Sequence, residues 1–479
     1  MGSFVTRSLT WAAALAYGFF TVVLYGCIAI KQGTFFQRAS EKEKLELELA
    51  RDRLWNLSKD WSGLSHHMIT LRSSFKFHFV SNDTPATPAA LKSSKPLVIL
   101  VHGFPDSWAV WRQLISSPSL QKTATLVAID LPGYGGTDDL DTYSATNVYE
   151  KVTELIVALR VQYGVDQGEE SNKKKVIVVG HDWGCLVSMR LAAEAPSLAH
   201  RFILTNGPLV HLAESNIRRL LSSSLKMFKT ALRSPLQSRT PLVQAFRSLG
   251  PLFRQLVLSG YIFAFQLPFP IVEYFMLGGN YSLMKGIHKA STGNAELTSV
   301  DAAESMASGM GPSAAESRTE TASGDTYPAT LRDKHVYTAL NHKVSYYRDG
   351  AAIQRWQKSL ETITSLHSLG GGHDLRRTSS GTGLFDEEAP GVLQASSTII
   401  WGQKDIALDP HICLDGIADY LVTGSQVVML PESGHWTPVE TESRAAIEKA
   451  IEWAALGEKQ DVGVAIQAAY PSAKVTVRR

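Results

Sequence analysis

The stretch Gly180-His181-Asp182-Trp183-Gly184 lies between an apolar run, Val176–Val179, and a segment of helical character, Leu186–Ala195. This order predicts a strand, a sharp turn and a helix, with glycines beside the turn because its backbones pack closely. Such a turn exposes its central residue, here Asp182, above the sheet. A carboxylate is ionised at neutral pH and needs no base to act as a nucleophile. Its attack on an acyl group would give a labile anhydride, whereas attack on a saturated carbon gives an ester that water can cleave, so the residue favours epoxide opening or carbon–halogen displacement.

Apolar runs that alternate with helical segments predict further buried strands. Runs that are apolar throughout are typical of strands covered on both faces, as in a parallel sheet between helices. The predicted fold class is therefore α/β, with a mostly parallel sheet covered by helices. The predicted strands are Leu97–Val101, Leu126–Ile129, Val176–Val179, Phe202–Leu204, Thr398–Trp401 and Val427–Leu430.

The strand pattern is interrupted between about Pro208 and Ala395, where helical, aromatic-rich segments predict an inserted lid. Residues 290–328 and 365–394 are of low complexity and lack the apolar content of a core, so we expect flexible insertions there. Gly372-His373-Asp374 copies letters of the nucleophile turn without a preceding strand and is predicted to be loop. The predicted organisation is a membrane anchor at 1–38, a juxtamembrane helix at 39–62, the first part of the α/β core at 63–207, a lid at 208–364, a loop at 365–394, and the rest of the core with a C-terminal tail at 395–479.

The run Leu9–Ile30 has 22 residues without a charge, enough to cross a bilayer core of about 30 Å. Its length favours a retained single-pass transmembrane helix over the alternative, a cleaved signal peptide. Basic residues after the run favour a cytosolic catalytic domain, at the endoplasmic reticulum, although sequons at Asn56, Asn82 and Asn280 argue for the opposite orientation. Residues 40–61 predict an amphipathic helix that either lies against the membrane or is a solvated spacer.

Three more segments follow predicted strands and carry candidate catalytic groups. His102-Gly103-Phe104-Pro105 follows the first of these strands. The amides of Phe104 and Trp183 are expected to form an oxyanion hole, and a cis Phe104–Pro105 bond would hold that loop. Asp405 follows a late strand and is suited to orient a histidine, and His435, in the loop after the last predicted strand, is the candidate base.

Together these motifs resemble those of membrane-anchored epoxide hydrolases of the α/β-hydrolase fold. The resemblance covers about residues 65–457 apart from the two insertions, and the nucleophile, acid and histidine occur in the chain order of that fold. It implies two lid tyrosines that hold and protonate the epoxide oxygen. The matching residues are Tyr261, four positions before the pair Phe265-Gln266, and Tyr347, beside Arg348.

The resemblance also implies a substrate and its contacts. The substrate would be a small lipophilic epoxide that reaches the enzyme from the membrane, in contact with Phe104, Trp183, Phe265 and Trp436. No cofactor and no metal are expected, since Cys27, Cys185 and Cys413 form neither a metal pattern nor a disulfide framework. A net charge of only +2 gives no indication of a nucleic-acid partner.

Three other functions compete with this interpretation. A haloalkane dehalogenase shares the aspartate nucleophile, but Phe104 stands where those enzymes have an asparagine. A serine esterase or lipase needs a serine at the position of Asp182. A non-enzymatic, membrane-tethered protein on a degenerate hydrolase fold would lack a catalytic member, whereas all five positions are filled here.

Overall fold

The computed structural model describes residues 2–167, 173–233, 239–291, 298–332, 336–370 and 390–479. Within these residues nine strands form one sheet, in the order β1-β2-β4-β3-β5-β6-β7-β8-β9. The strands are β1 Ser65–Thr70, β2 Lys76–Ser81, β3 Leu97–Val101, β4 Thr125–Ile129, β5 Val176–His181, β6 Arg201–Thr205, β7 Ser397–Gly402, β8 Gln426–Leu430 and β9 Lys474–Arg478.

The six strands from β4 to β8 in this order pair in parallel, and antiparallel strands close both edges. All six predicted strands are confirmed to within two residues at each end. Alternate residues of β3 belong to different core clusters, with Ile99 in one and Leu100 in the other, so the sheet is packed on both faces. The prediction of a mostly parallel α/β fold is therefore confirmed.

Helices cover the sheet and form the lid between β6 and β7. The helices before the lid are α1 Gly2–Lys31, α2 Glu41–Trp55, α3 Pro88–Lys92, α4 Arg112–Ile115, α5 Pro118–Thr123, α6 Ala145–Gln162 and α7 Trp183–Glu194. The lid helices are α8 Val210–Arg233, α9 Arg239–Leu258, α10 Gly260–Ala264, α11 Phe269–Ser291, α12 Ser299–Met310, α13 Ala329–Arg332, α14 Val336–Arg348 and α15 Leu360–Leu369. The helices after the lid are α16 Pro410–Cys413, α17 Thr441–Ala455 and α18 Val462–Gln467.

The prediction of a flexible insertion at 290–328 is wrong for α12, which packs into the core. Ala303, Met306 and Ala307 are buried. The Glu304 carboxylate accepts a hydrogen bond from Arg112 Nε at 2.9 Å and also pairs with Arg53. The prediction from composition failed here because small and polar side chains are usually solvated. In α12, however, they are held by close contacts and ion pairs. Residues 292–297 lie outside the described part of the chain.

The juxtamembrane helix is also placed differently from either expectation. In α2, Leu54 and Trp55 are fully buried, and Trp55 Nε1 donates to the Ala307 carbonyl at 2.9 Å. The helix is therefore a packed part of the globular body, although Leu45 and Leu49 on its other face are exposed. The sequence pattern predicted that α2 is a helix, but it did not predict that α2 packs against α12.

The chain end and the second insertion complete the comparison. The predicted C-terminal tail contains β9, whose alternating pattern Lys-Val-Thr-Val-Arg pairs antiparallel with β8. The predicted loop at 365–394 begins inside α15, and its residues 371–389, including Gly372-His373-Asp374, lie outside the described residues. Among the described helices α1 is the one that is long and apolar enough to cross a membrane, over Ser8–Lys31.

Candidate active site

The nucleophile turn joins β5 to α7 in a conformation that few residues adopt. Asp182 has φ +52° and ψ −117°, between a strand that ends at His181 and a helix that begins at Trp183. A Cβ added at Gly184 would lie 2.1 Å from the Val101 carbonyl oxygen. The glycine is therefore required, and the strained turn is typical of a nucleophile raised above a sheet.

The Asp182 carboxylate is held on both sides by groups that the sequence predicted. The Phe104 amide donates to Oδ1 at 2.7 Å, and His435 Nε2 lies 3.5 Å from Oδ2. The Phe104–Pro105 peptide is cis, as predicted. Trp183 is the first residue of α7, where backbone amides have no carbonyl partner inside the helix. Both predicted oxyanion-hole amides therefore belong to residues that adjoin the nucleophile.

His435 lies between two carboxylates. Its Nδ1 is 2.8 Å from Asp405 Oδ2, and the other ring nitrogen faces Asp182. Burial alone lowers the pKa of His435, but the charges of Asp405 and Asp182 and their hydrogen bonds outweigh it and raise the pKa to about 10. In this geometry the imidazole is protonated at neutral pH, and the loss of either negative charge would make it more acidic.

Asp405 is fixed by backbone amides and by a residue that the sequence analysis missed. Its Oδ1 accepts from the amides of Ala407 at 2.6 Å and Leu408 at 2.9 Å. Its Oδ2 accepts from Asn206 Nδ2 at 2.7 Å. Asn206 directly follows β6 with φ +46°, so its place at a strand end was a signal that could have identified it.

The two predicted lid tyrosines lie together, next to Trp183, the residue that follows Asp182. The ring centroids of Tyr261 and Tyr347 are 6.0 Å apart, and Tyr347 also packs edge-on against Trp183 at 5.0 Å. Burial raises the pKa of both phenols, and the negative charge of Asp182 raises it further. Both therefore stay protonated at neutral pH and are available as hydrogen-bond donors.

The residues beside these tyrosines brace the two lid segments against each other. Arg348 Nε donates to the Phe265 carbonyl at 2.5 Å, and the same guanidinium also binds the Leu267 carbonyl. In return, Gln266 Nε2 donates to the Tyr347 carbonyl at 3.3 Å. The Phe-Gln and Tyr-Arg pairs that marked the tyrosines in the sequence therefore fix the spacing between α10 and α14.

The four predicted substrate contacts fall into two core clusters. The rings of Phe104 and Phe265 are 5.3 Å apart, in one cluster with Trp183. Trp436 packs in the other cluster, edge-on against the His435 ring at 4.9 Å, and its Nε1 donates to Asp106 at 3.3 Å. All four stay predicted substrate contacts.

A small pocket adjoins the site at Pro105. Its apolar wall includes Met284, Met306 and Met310, whose flexible side chains adapt to varied shapes. On another wall the buried Lys343 donates to the carbonyls of Pro105 at 2.9 Å and Gly309 at 2.6 Å. The segment taken for a flexible insertion thus helps to form the cavity.

Metal ligands were also sought among the described residues. No group of three or more His, Cys, Asp or Glu side chains in this part of the chain could hold a metal ion. The expectation of a site without metal or cofactor stays a prediction.

Comparisons with known proteins agree with this architecture. The profile of a family described as alpha/beta hydrolase fold matches residues 96–441. Epoxide hydrolase 3 of Mus musculus is 22% identical over 449 residues, which cover 91% of this chain and 89% of the relative. Epoxide hydrolase 4 of Homo sapiens is 28% identical over 163 residues, or 33% of this chain and 39% of the relative.

Solved structures of similar proteins were also found. A crystal structure of Bacillus megaterium epoxide hydrolase in complex with an inhibitor aligns with 20% sequence identity and a TM-score of 0.47. The alignment covers 81% of this chain and 99% of that one.

Proposed function

The chain belongs to the α/β-hydrolase fold family, and on this premise we propose that it is an epoxide hydrolase. It converts lipophilic epoxides into vicinal diols through a covalent ester on Asp182. The single observation that carries the proposal is the arrangement around this carboxylate: the His435–Asp405 pair lies on one side and two protonated phenols, Tyr261 and Tyr347, lie above it. The names of the mouse and human relatives support the same activity.

In the first half of the reaction the Asp182 carboxylate attacks an epoxide carbon. The carbon–oxygen bond of the ring breaks, and the electron pair stays on the oxygen as an alkoxide. Tyr261 and Tyr347 donate hydrogen bonds to this oxygen, and one of them transfers a proton to it. An alkoxide is a much stronger base than a phenolate, so the transfer is favourable even though burial raises the pKa of both tyrosines.

Ester formation itself prepares the second half. The ester of Asp182 is neutral, so one of the two negative charges that raise the pKa of His435 disappears. The imidazolium then releases its proton, which restores the phenol that protonated the alkoxide. Neutral His435, oriented by Asp405, removes a proton from water, which attacks the ester carbonyl. The amides of Phe104 and Trp183 stabilise the oxyanion of the intermediate. As it collapses, the departing diol oxygen takes a proton from the imidazolium, and the new carboxyl group of Asp182 returns its proton to His435.

The function is tested by product analysis of the detergent-solubilised chain. A lipophilic epoxide should give diol, a 1-haloalkane should release no halide, and Asp182→Ala should be inactive. Asp374→Ala, in the sequence Gly372-His373-Asp374, is the matched control and should keep wild-type activity. Halide release without diol would identify a dehalogenase instead, and no turnover of either class would support the non-enzymatic alternative.

The covalent step needs a test of its own. In a single turnover in H₂¹⁸O, with enzyme in excess, the diol should carry unlabelled oxygen, because its new hydroxyl comes from Asp182. Label in the first diol would mean that water attacks the epoxide directly. With His435→Gln, intact mass should reveal an accumulated ester adduct of the substrate.

The membrane assignment belongs to the same proposal. Helix α1 acts as a single-pass anchor that leaves the catalytic part in the cytosol, at the endoplasmic reticulum, where lipophilic epoxides dissolve in the bilayer. The apolar character of Ser8–Lys31 supports it. Carbonate-resistant membrane association together with an intact N-terminus would distinguish an anchor from a signal peptide. Endoglycosidase-sensitive glycans on Asn56, Asn82 or Asn280 would reverse the proposed orientation.

A further inference from the structure

Two lid helices expose apolar side chains that the globular body does not cover. On α8, Leu221, Leu225 and Leu232 recur at helical spacing, and Leu232 is 79% exposed. On α9 the corresponding exposed residues are Leu242, Val243, Phe246, Phe253, Leu256 and Val257. We call this surface of α8 and α9 the lid face.

The lid face is one continuous surface rather than two separate stripes. The rings of Phe228 and Phe246 meet edge-on at 5.2 Å between the two helices. One turn earlier on α8, Ser224 is joined to Ser248 of α9 at 2.6 Å, and Leu220 packs against the core beside Trp401. The two helices are therefore fixed in register, with one side buried against the core and the apolar side outward.

Positive charge borders the lid face. A basic stripe runs along α8 beside the apolar one. It consists of Lys226, Lys229 and Arg233, each of which directly follows an apolar residue of α8. On α9, Arg247 directly follows Phe246 in the same way. All four are exposed, and none forms an ion pair with another described residue. An exposed apolar strip bordered by unpaired cations is typical of helices that lie in the headgroup region of an anionic membrane.

The packing of α1 against the lid brings this face to the bilayer. Helix α1 contacts the globular body from Leu15 onward: the Tyr17 hydroxyl donates to the Leu256 carbonyl at 3.0 Å, and the Tyr17 ring packs on Phe263. The apolar span of α1, Ser8–Lys31, therefore overlaps the part of the helix that packs on the lid. A bilayer that takes up this span also reaches the adjoining lid surface, at the depth of the headgroups where amphipathic helices lie.

From this geometry we propose that the lid face is a second membrane-binding surface, seated in the headgroup region of a leaflet that contains anionic lipids. The lid face lies beside α1, so the anchor and the lid face both bind the same bilayer. The proposal rests on α1 as an anchor but not on the reaction at Asp182, and a failure of one leaves the other intact.

The test measures the depth of a single labelled position in the full-length chain in vesicles. In a Cys27→Ser background, Val257→Cys carries an environment-sensitive NBD fluorophore. The matched control is Val161→Cys on α6, an equally exposed valine at 66% against 73% for Val257. In vesicles of phosphatidylcholine with phosphatidylserine, we expect the Val257 probe to shift to shorter wavelength and to be quenched by bromolipids, and the Val161 probe to do neither.

Charge reversal tests the electrostatic part. Lys226→Glu, Lys229→Glu and Arg233→Glu together should reduce quenching at position 257 at least two-fold in anionic vesicles and leave it unchanged in pure phosphatidylcholine. Equal quenching of the 161 and 257 probes, or none of either, would overturn the proposal. A blue shift at 257 that follows protein concentration without bromolipid quenching would assign the lid face to a second copy of the chain and would equally overturn it. Unchanged thermal unfolding of the charge variant shows that it is folded.

Discussion

At the scale of single residues, the site depends on the charge balance around His435. The imidazole lies between Asp405 and Asp182, which together outweigh the effect of burial and raise its pKa to about 10. The enzyme at rest would therefore hold an acid at this position and gain a base only when Asp182 is esterified. The order of the two half-reactions would then follow from electrostatics alone.

The first prediction concerns this coupling. Asp182→Asn removes one of the two charges, so we expect the pKa of His435 to fall clearly below its wild-type value. Histidine ring resonances followed by NMR during a pH titration check this, with His435→Gln to assign the signal. An unchanged titration of His435 in the Asp182→Asn variant would contradict the proposed coupling.

The same shift predicts how stability depends on pH. The pKa of His435 is higher in the folded chain than its ordinary value near 6.5, so its ion pair stabilises the fold fully below about pH 6.5. This contribution is lost as the pH rises through about 10. The stability difference between wild type and His435→Gln, measured by urea unfolding, should therefore shrink between pH 7 and 10. A difference that grows over this range would contradict the sign of the shift.

Asn206 gives the third prediction. Asn206→Gly keeps the positive φ but removes the donor to Asp405. A hydrogen bond to a charged group contributes about 1.5–3 kcal/mol, so ester hydrolysis should slow by about 10- to 100-fold. Epoxide opening should change little, and rapid-quench kinetics separate the two steps. Since Asn206 acts through Asp405, adding the change to Asp405→Asn should cause little further loss.

At the scale of elements, α1 and α10 pack so closely that a change in α1 should reach the lid. A Cβ added at Gly18 would lie 2.3 Å from the Phe263 carbonyl oxygen, and at Gly260 the nearest atoms belong to Thr21 at 3.1 Å. Helix α10 carries Tyr261. A change on the outer helix is therefore transmitted to the phenol above Asp182 by steric contact.

This contact gives the fourth prediction. Gly18→Leu must separate α1 from α10 and displace Tyr261, and we expect epoxide opening to slow by about 10-fold or more, because small misplacements of reacting groups are costly. Gly26→Leu is the control, since its Cβ would meet only Phe35 Cε2 at 3.9 Å. Rates of ester formation in the same detergent compare the two. Equal rates in both variants would mean that α1 does not position the tyrosine.

Helix α12 gives the fifth prediction. Glu304→Ala leaves the buried Arg112 without its carboxylate, and breaking a buried ion pair in this way costs about 3 kcal/mol or more. Glu41→Ala, which removes an exposed pair with Lys44, should leave the urea midpoint within experimental error. Equal midpoints for the two variants would contradict the packed placement of α12.

At the scale of the whole molecule, the sheet joins candidate catalytic residues that are far apart in the chain. The carboxyl ends of β3, β5, β6, β7 and β8 lie side by side in the sheet. Phe104, Asp182, Asn206, Asp405 and His435 follow these five strands in that order. The lid inserted between β6 and β7 then adds both tyrosines and, with α1, the surface that we propose faces the bilayer.

The sequence by itself determined the parallel sheet, the sharp turn at Asp182 and the positions of Asp405 and His435 after late strands. These features rest on local signals: unbroken apolar runs, glycines at a strained turn, and polar residues directly after a strand. The tertiary structure alone decided that α12 and α2 are buried against each other, that Trp436 donates to Asp106, and that Asn206 supports Asp405. Each of these contacts depends on a partner far away in the chain. The local sequence around a polar or small side chain does not reveal whether that side chain will contact a distant residue or water.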